Sequence, residues 1–166
     1  MAELDLFIAM AEIAGVFVGF GALISVTHPS EIEAAQLGQI RAAVTIGLVV
    51  MVAALIPIGL DRYHVTGHNL WFVSSLVFLV ISWAVIVLSL RRPENRQLMI
   101  AQARSSPMKA MFFWLLLELP VQIPLLLAAF GVRPDLDPAF YLTALIFNLF
   151  EAAFVLAQLV YSQVNP

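Results

Sequence analysis

The sequence predicts an all-α fold, a polytopic integral membrane bundle of five transmembrane helices. Three observations carry that expectation. Of 166 residues, 62% are hydrophobic and only 11% charged, whereas a soluble domain carries charge on about a quarter of its residues. The mean hydropathy is +0.97. Finally, the apolar residues gather into five windows, each long enough to cross a hydrocarbon core of about 30 Å at 1.5 Å per residue. The expectation is a single transmembrane domain over residues 1–166, with the lipid bilayer as its first partner.

The first window, Leu4–Val26, lies close to the N-terminus. It lacks the basic flank and small-residue cleavage site of a signal peptide, so it is expected to stay as a helix. The second, Leu37–Leu60, follows Ser30-Glu31-Ile32-Glu33, a capping box that predicts a helix start ahead of the lipid. Asn69 is placed to cap the third window, Leu70–Leu90. Ser106-Pro107 and Asp137-Pro138 set a cap and an N1 proline before the fourth and fifth, Met108–Phe130 and Ala139–Tyr161. The longest connection, "RRPENRQLMIAQARSSP", is expected to be a basic, topology-setting loop.

Charge then sets the orientation. Arg91, Arg92, Arg96, Arg104 and Lys109 crowd the third connection, and five crossings put Arg41 on the same side. Basic residues favour the cytoplasmic side, so the N-terminus is expected outside and the C-terminus in the cytoplasm. The setting expected is a bacterial inner membrane. Tyr63, Trp71 and Tyr141 fall near the outer boundary, where amphipathic rings gather.

Against this apolar background, polar residues inside the spans stand out. Glu12, Glu118 and Glu151 lie well within them, with no lysine or arginine at comparable depth. An acidic residue at the centre of a membrane helix costs about 2.5–3.5 kcal/mol on insertion scales, so three need compensation. Counted along each helix from its outer end, Glu12 and Gln122 lie roughly 10–12 Å deep, Asn148 about 15 Å, and Glu118 and Glu151 about 18–20 Å. Glu118 and Gln122 are i, i+4 and share a face. Asn148 and Glu151 form one stripe, and a short connection makes helices four and five antiparallel neighbours. Glu118 and Glu151 are therefore expected to face each other at one level.

Pro120 and Pro124 lack N–H groups, which deprives the carbonyls of Leu116 and Pro120 of their helical donors. Interrupted helices with carbonyl and carboxylate oxygens near the midplane are what transporters use to hold cations. On the first helix, Glu12 shares its stripe with Gly15 and Gly19, whose spacing allows another backbone to approach. That face is expected to meet protein. Ser75, Ser82 and Ser89 make a second small-residue seam on helix three.

The function expected is conduction or exchange of a cation, a proton or a monovalent metal ion, through Glu118, Glu151, Glu12, Gln122 and Asn148. Because five helices make a thin scaffold, a homo-oligomer is expected to complete the pathway. The alternative is a non-transporting membrane subunit whose buried polar groups hold partner helices. Without cysteine there is no thiolate nucleophile or thiolate metal site, and no nucleophile–base pair, phosphate loop or nucleic-acid-binding surface is legible. Neither catalysis nor a cofactor is expected. His64 and His68 are spaced i, i+4 in "DRYHVTGHN" and are expected to be solvated loop residues.

Overall fold

A computed structural model describes residues 2–27, 34–91 and 107–164. Five α-helices lie among them: α1 (Ala2–Thr27), α2 (Ala34–Arg62), α3 (His68–Arg91), α4 (Pro107–Ala129) and α5 (Asp137–Val164). A short 3-10 turn, Pro134–Leu136, leads into α5. The expected windows sit inside these helices to within three residues at most ends. The capping box at Ser30–Glu33, the basic connection and the Ser106 cap lie outside the described residues.

Four helices contain stretches long and apolar enough to cross a membrane: Leu4–Val26, Gln36–Arg62, His68–Arg91 and Pro134–Gln158. The fifth stretch, Leu115–Ala129 of α4, is apolar but shorter among the described residues. The chain is thus built as an integral membrane protein. Four of the five expected spans are long and apolar among the described residues, and α4 carries Glu118, Gln122 and two prolines.

α1 packs chiefly on α2, while α5 lies between α2 and α4 and also touches α1 and α3. The α1–α2 contact is antiparallel, since Gly21 faces Val44, Val18 faces Gly47 and Gly15 faces Met51. At two of these points only a missing side chain permits the approach. A methyl group on Gly21 would stand 2.6 Å from Cγ2 of Val44, and one on Gly47 would stand 2.9 Å from Cγ2 of Val18. Gly19 behaves differently, for a methyl group there would meet nothing within 4 Å. Within one chain, the close seam therefore runs through Gly15, Gly21 and Gly47, and Gly19 lies off it. The helix turns its Ala14 edge to α2, and Ala14 is fully buried.

Both tight turns lie at one end of the bundle. α2 stops in a Schellman arrangement: Val65 N–H reaches the Leu60 carbonyl at 3.2 Å and His64 N–H the Asp61 carbonyl at 3.0 Å. His64 takes the left-handed conformation, φ 62°, that this motif demands. α4 stops in the same way at Gly131, φ 60°, with Val132 N–H on the Leu127 carbonyl at 3.2 Å. α3 begins at His68 itself, so Asn69 lies in its first turn instead of capping it.

The core joins all five helices around Tyr141. Phe7, Trp71 and Phe78 each pack their rings against it, with centroids 5.7–6.0 Å away. Tyr141 was expected among the interfacial rings, yet it is fully buried. The reason lies in α2. Pro57 sits inside that helix and offers no N–H to the carbonyl of Ala53, four residues earlier. Tyr141 supplies the missing donor: its hydroxyl reaches the Ala53 oxygen at 2.7 Å.

Candidate functional site

α4 stays helical through both of its internal prolines. Among the described residues, no side chain donates to the carbonyls of Leu116 or Pro120, in contrast to Ala53. One turn of α4 therefore combines a weakened backbone with two polar side chains. Gln122 Nε2 donates to Glu118 Oε2 at 3.3 Å, the i, i+4 pairing that helical phase requires. Both side chains are half-buried.

Glu151 on α5 is also half-buried, and Glu118 acts on it electrostatically across the α4–α5 contact. The two carboxyl groups thus lie on helices that pack against each other. Asn148 lies one helical turn away on α5 and is buried. Four of the polar residues read from the sequence, Glu118, Gln122, Asn148 and Glu151, accordingly gather along one helix pair. Chemically they offer two carboxyls, two amides and a proline-interrupted backbone, a set suited to holding a proton or a cation in poorly hydrated surroundings.

Glu12 does not join them. It is exposed on α1, on the surface turned away from α2, together with Val16, Gly19 and Leu23. The serines of α3 divide: Ser74, Ser75 and Ser82 are buried, whereas Ser89 is exposed. The hydroxyls of the first three have no hydrogen-bond partner, while those of Ser25, Thr45 and Thr143 bond back to the carbonyl four residues earlier.

A second polar cluster escaped the sequence reading. His68 Nδ1 and Asp137 Oδ2 lie 2.7 Å apart, joining the first residue of α3 to the first residue of α5. The His68 ring lies against Gly131, where a methyl group would come within 2.8 Å of its Cε1. His68 is therefore no solvated loop residue. Its sequence spacing to His64 concealed this, because the true partner lies 69 positions away. The available signal was Asp137, an acid directly before a proline at the expected start of a span.

A shallow apolar cavity of about 150 Å³ opens between Phe7, Pro57, Ile58, Leu70 and Trp71, with Asp61 on its lining. Among the described residues, no three histidine or carboxylate side chains are grouped so as to hold a metal ion. Comparison with protein-family models, with curated proteins and with solved structures finds no match.

Proposed function

We propose that this protein conducts or exchanges a cation, a proton or a monovalent metal ion, across the membrane at Glu118 and Glu151. The observation that carries this reading is the pair of half-buried carboxyls on the packed helices α4 and α5, one bonded to Gln122, with Pro120 and Pro124 on the same stretch of α4. Intramembrane carboxyls are costly, and they are characteristic of ion pathways and proton relays. In this reading the two carboxyls share one proton between them. An arriving cation would displace that proton, which makes ion uptake and proton release one event. Asn148 supplies a polar ligand, and Gln122 orients Glu118.

The chain would span the membrane five times, with its N-terminus outside and its C-terminus in the cytoplasm of a bacterial cell. A second copy would complete the pathway. Purified protein in liposomes, assayed for proton, sodium and potassium flux, tests the proposal. Glu118→Gln keeps the shape of the protonated acid and should abolish flux or its pH dependence. Glu151→Gln should act alike, and the double variant should add little, because the two act as one site. Normal flux in both single variants would remove the carboxyls from the pathway.

Glu12 favours a second reading, a non-transporting subunit that docks on partner helices. An exposed carboxyl inside a membrane helix needs a polar partner, and α1 leaves it facing away from its own bundle. Co-purification of one specific partner, with no flux from the protein alone, would favour that reading over transport.

A further inference from the structure

We propose that His68 and Asp137 form a proton-relay dyad at the end of the bundle that carries the two tight turns. This inference rests on the transport reading and narrows its substrate to the proton. It stands on an asymmetry within the pair. The His68 side chain is 38% exposed, Asp137 is fully buried, and a 2.7 Å hydrogen bond joins them. One member meets solvent and the other is shut away from it.

The second oxygen of Asp137 strengthens the case. Oδ1 is buried and has no hydrogen-bond partner. A pair that served only to tie α3 to α5 would gain nothing from leaving that acceptor unpaired, because buried polar groups in native proteins find partners. Asp137 and His68 also lie in the first turns of α5 and α3, where helix dipoles favour a negative carboxylate. The carboxylate accepts, so Nδ1–H donates. Such a bond fixes the imidazole tautomer and leaves the Nε2 lone pair for an incoming proton.

The relay balances. Nε2 takes a proton from the aqueous side, and the proton on Nδ1 passes to Asp137 Oδ2. The N–H bond at Nδ1 breaks as the O–H bond forms, leaving neutral imidazole and neutral carboxylic acid. Rotation of the carboxyl carries its O–H to the side that Oδ1 occupies, where an arriving water molecule accepts the proton as hydronium and leaves the carboxylate. Solvent exchange then restores the proton from Nε2 to Nδ1. One proton enters, one leaves, and both groups are regenerated.

The surroundings leave this pair to itself. The other charged or imidazole groups described at this end, Asp5, Asp61, Arg62, His64, Arg133 and Asp135, are all exposed, and none is bonded to His68 or Asp137. Phe72 packs near the imidazole with ring centroids 6.3 Å apart. Asp137 opens the buried stripe of α5 that continues through Tyr141 to Asn148, beside Glu151. One member of the dyad, Asp137, and one of the carboxyl pair, Glu151, thus lie on the same helix, α5.

Full-length protein in liposomes carrying an internal pH dye would be exposed to an external acid pulse, alongside His68→Gln, Asp137→Asn and Glu118→Gln. Nitrogen NMR of ¹⁵N-histidine-labelled protein in lipid discs would read the His68 tautomer directly. The relay predicts an Nδ1–H tautomer in the parent protein, and at least tenfold slower proton flux in His68→Gln with unchanged size and thermal stability. Should Asp137→Asn fail to fold, His68→Gln decides, since its side chain is partly exposed. Flux unchanged in His68→Gln but lost in Glu118→Gln would overturn the dyad and leave the transport reading standing. Sodium or potassium flux without proton flux would also overturn it. No flux of any ion in the parent protein would overturn both, and an Nε2–H tautomer would overturn the dyad alone.

Discussion

A proline deep in a membrane helix exposes a carbonyl that lipid cannot satisfy, and Pro57 and Tyr141 form the clearest answer to that problem in this chain. The Tyr141 hydroxyl stands in for the absent N–H at 2.7 Å from the Ala53 oxygen. Tyr141→Phe keeps the ring packing and deletes only the donor, so it should destabilise the protein by about 1–3 kcal/mol, the usual cost of a buried acceptor left unpaired. Pro57→Ala returns a backbone N–H to the same carbonyl. In that background the Tyr141→Phe loss should shrink, and a double-mutant cycle read by thermal unfolding in detergent measures the difference. Equal losses in both backgrounds would show that the hydroxyl matters for some other reason. The pairing was not legible beforehand. Sequence pattern marks an amphipathic tyrosine near a helix end as interfacial, and it carries no information about a broken carbonyl 88 residues away.

At the scale of the element, α1 presents two glycine faces with different duties. Gly21, with Gly47 opposite on α2, permits the close approach of the two helices, whereas Gly19 looks outward. Gly21→Ala or Gly47→Ala should therefore cost about 1–3 kcal/mol through overpacking. Gly19→Leu should leave the stability of the single chain unchanged while lowering the oligomer size measured by light scattering. Lost thermal stability in Gly19→Leu, with oligomer size unaltered, would place the internal seam on that face after all. The small-residue spacing in the sequence was a sound guide to a helix that packs closely. It could not choose the face, because glycines at 15, 19 and 21 serve two directions of the same helix. Helices four and five were more legible, since i, i+4 phase and a short connection are local properties. Glu118 and Gln122 meet as that phase requires.

For the whole molecule, apolar window length carried most of the architecture. Four of the described helices satisfy it fully, and α4 carries a shorter apolar stretch, Leu115–Ala129, among the described residues. Orientation rests on the basic residues alone. Reporter fusions after Pro93 and at the C-terminus should both read cytoplasmic, and one after His64 should read external. An external signal from the Pro93 fusion would invert the bundle and place the His68–Asp137 pair on the cytoplasmic side.

The bond between Tyr141 and Ala53 also sets an order on biosynthesis. Membrane helices leave the ribosome from the N-terminus onward, so α2 enters the bilayer with its Ala53 carbonyl still lacking a donor. It waits through the synthesis of 88 further residues until Tyr141 arrives. A nascent or truncated chain that stops before α5 keeps an exposed polar defect in α2 and lacks the ring that closes the aromatic cluster. Arrival of α5 is thus what satisfies the Ala53 carbonyl and closes the aromatic cluster around Tyr141.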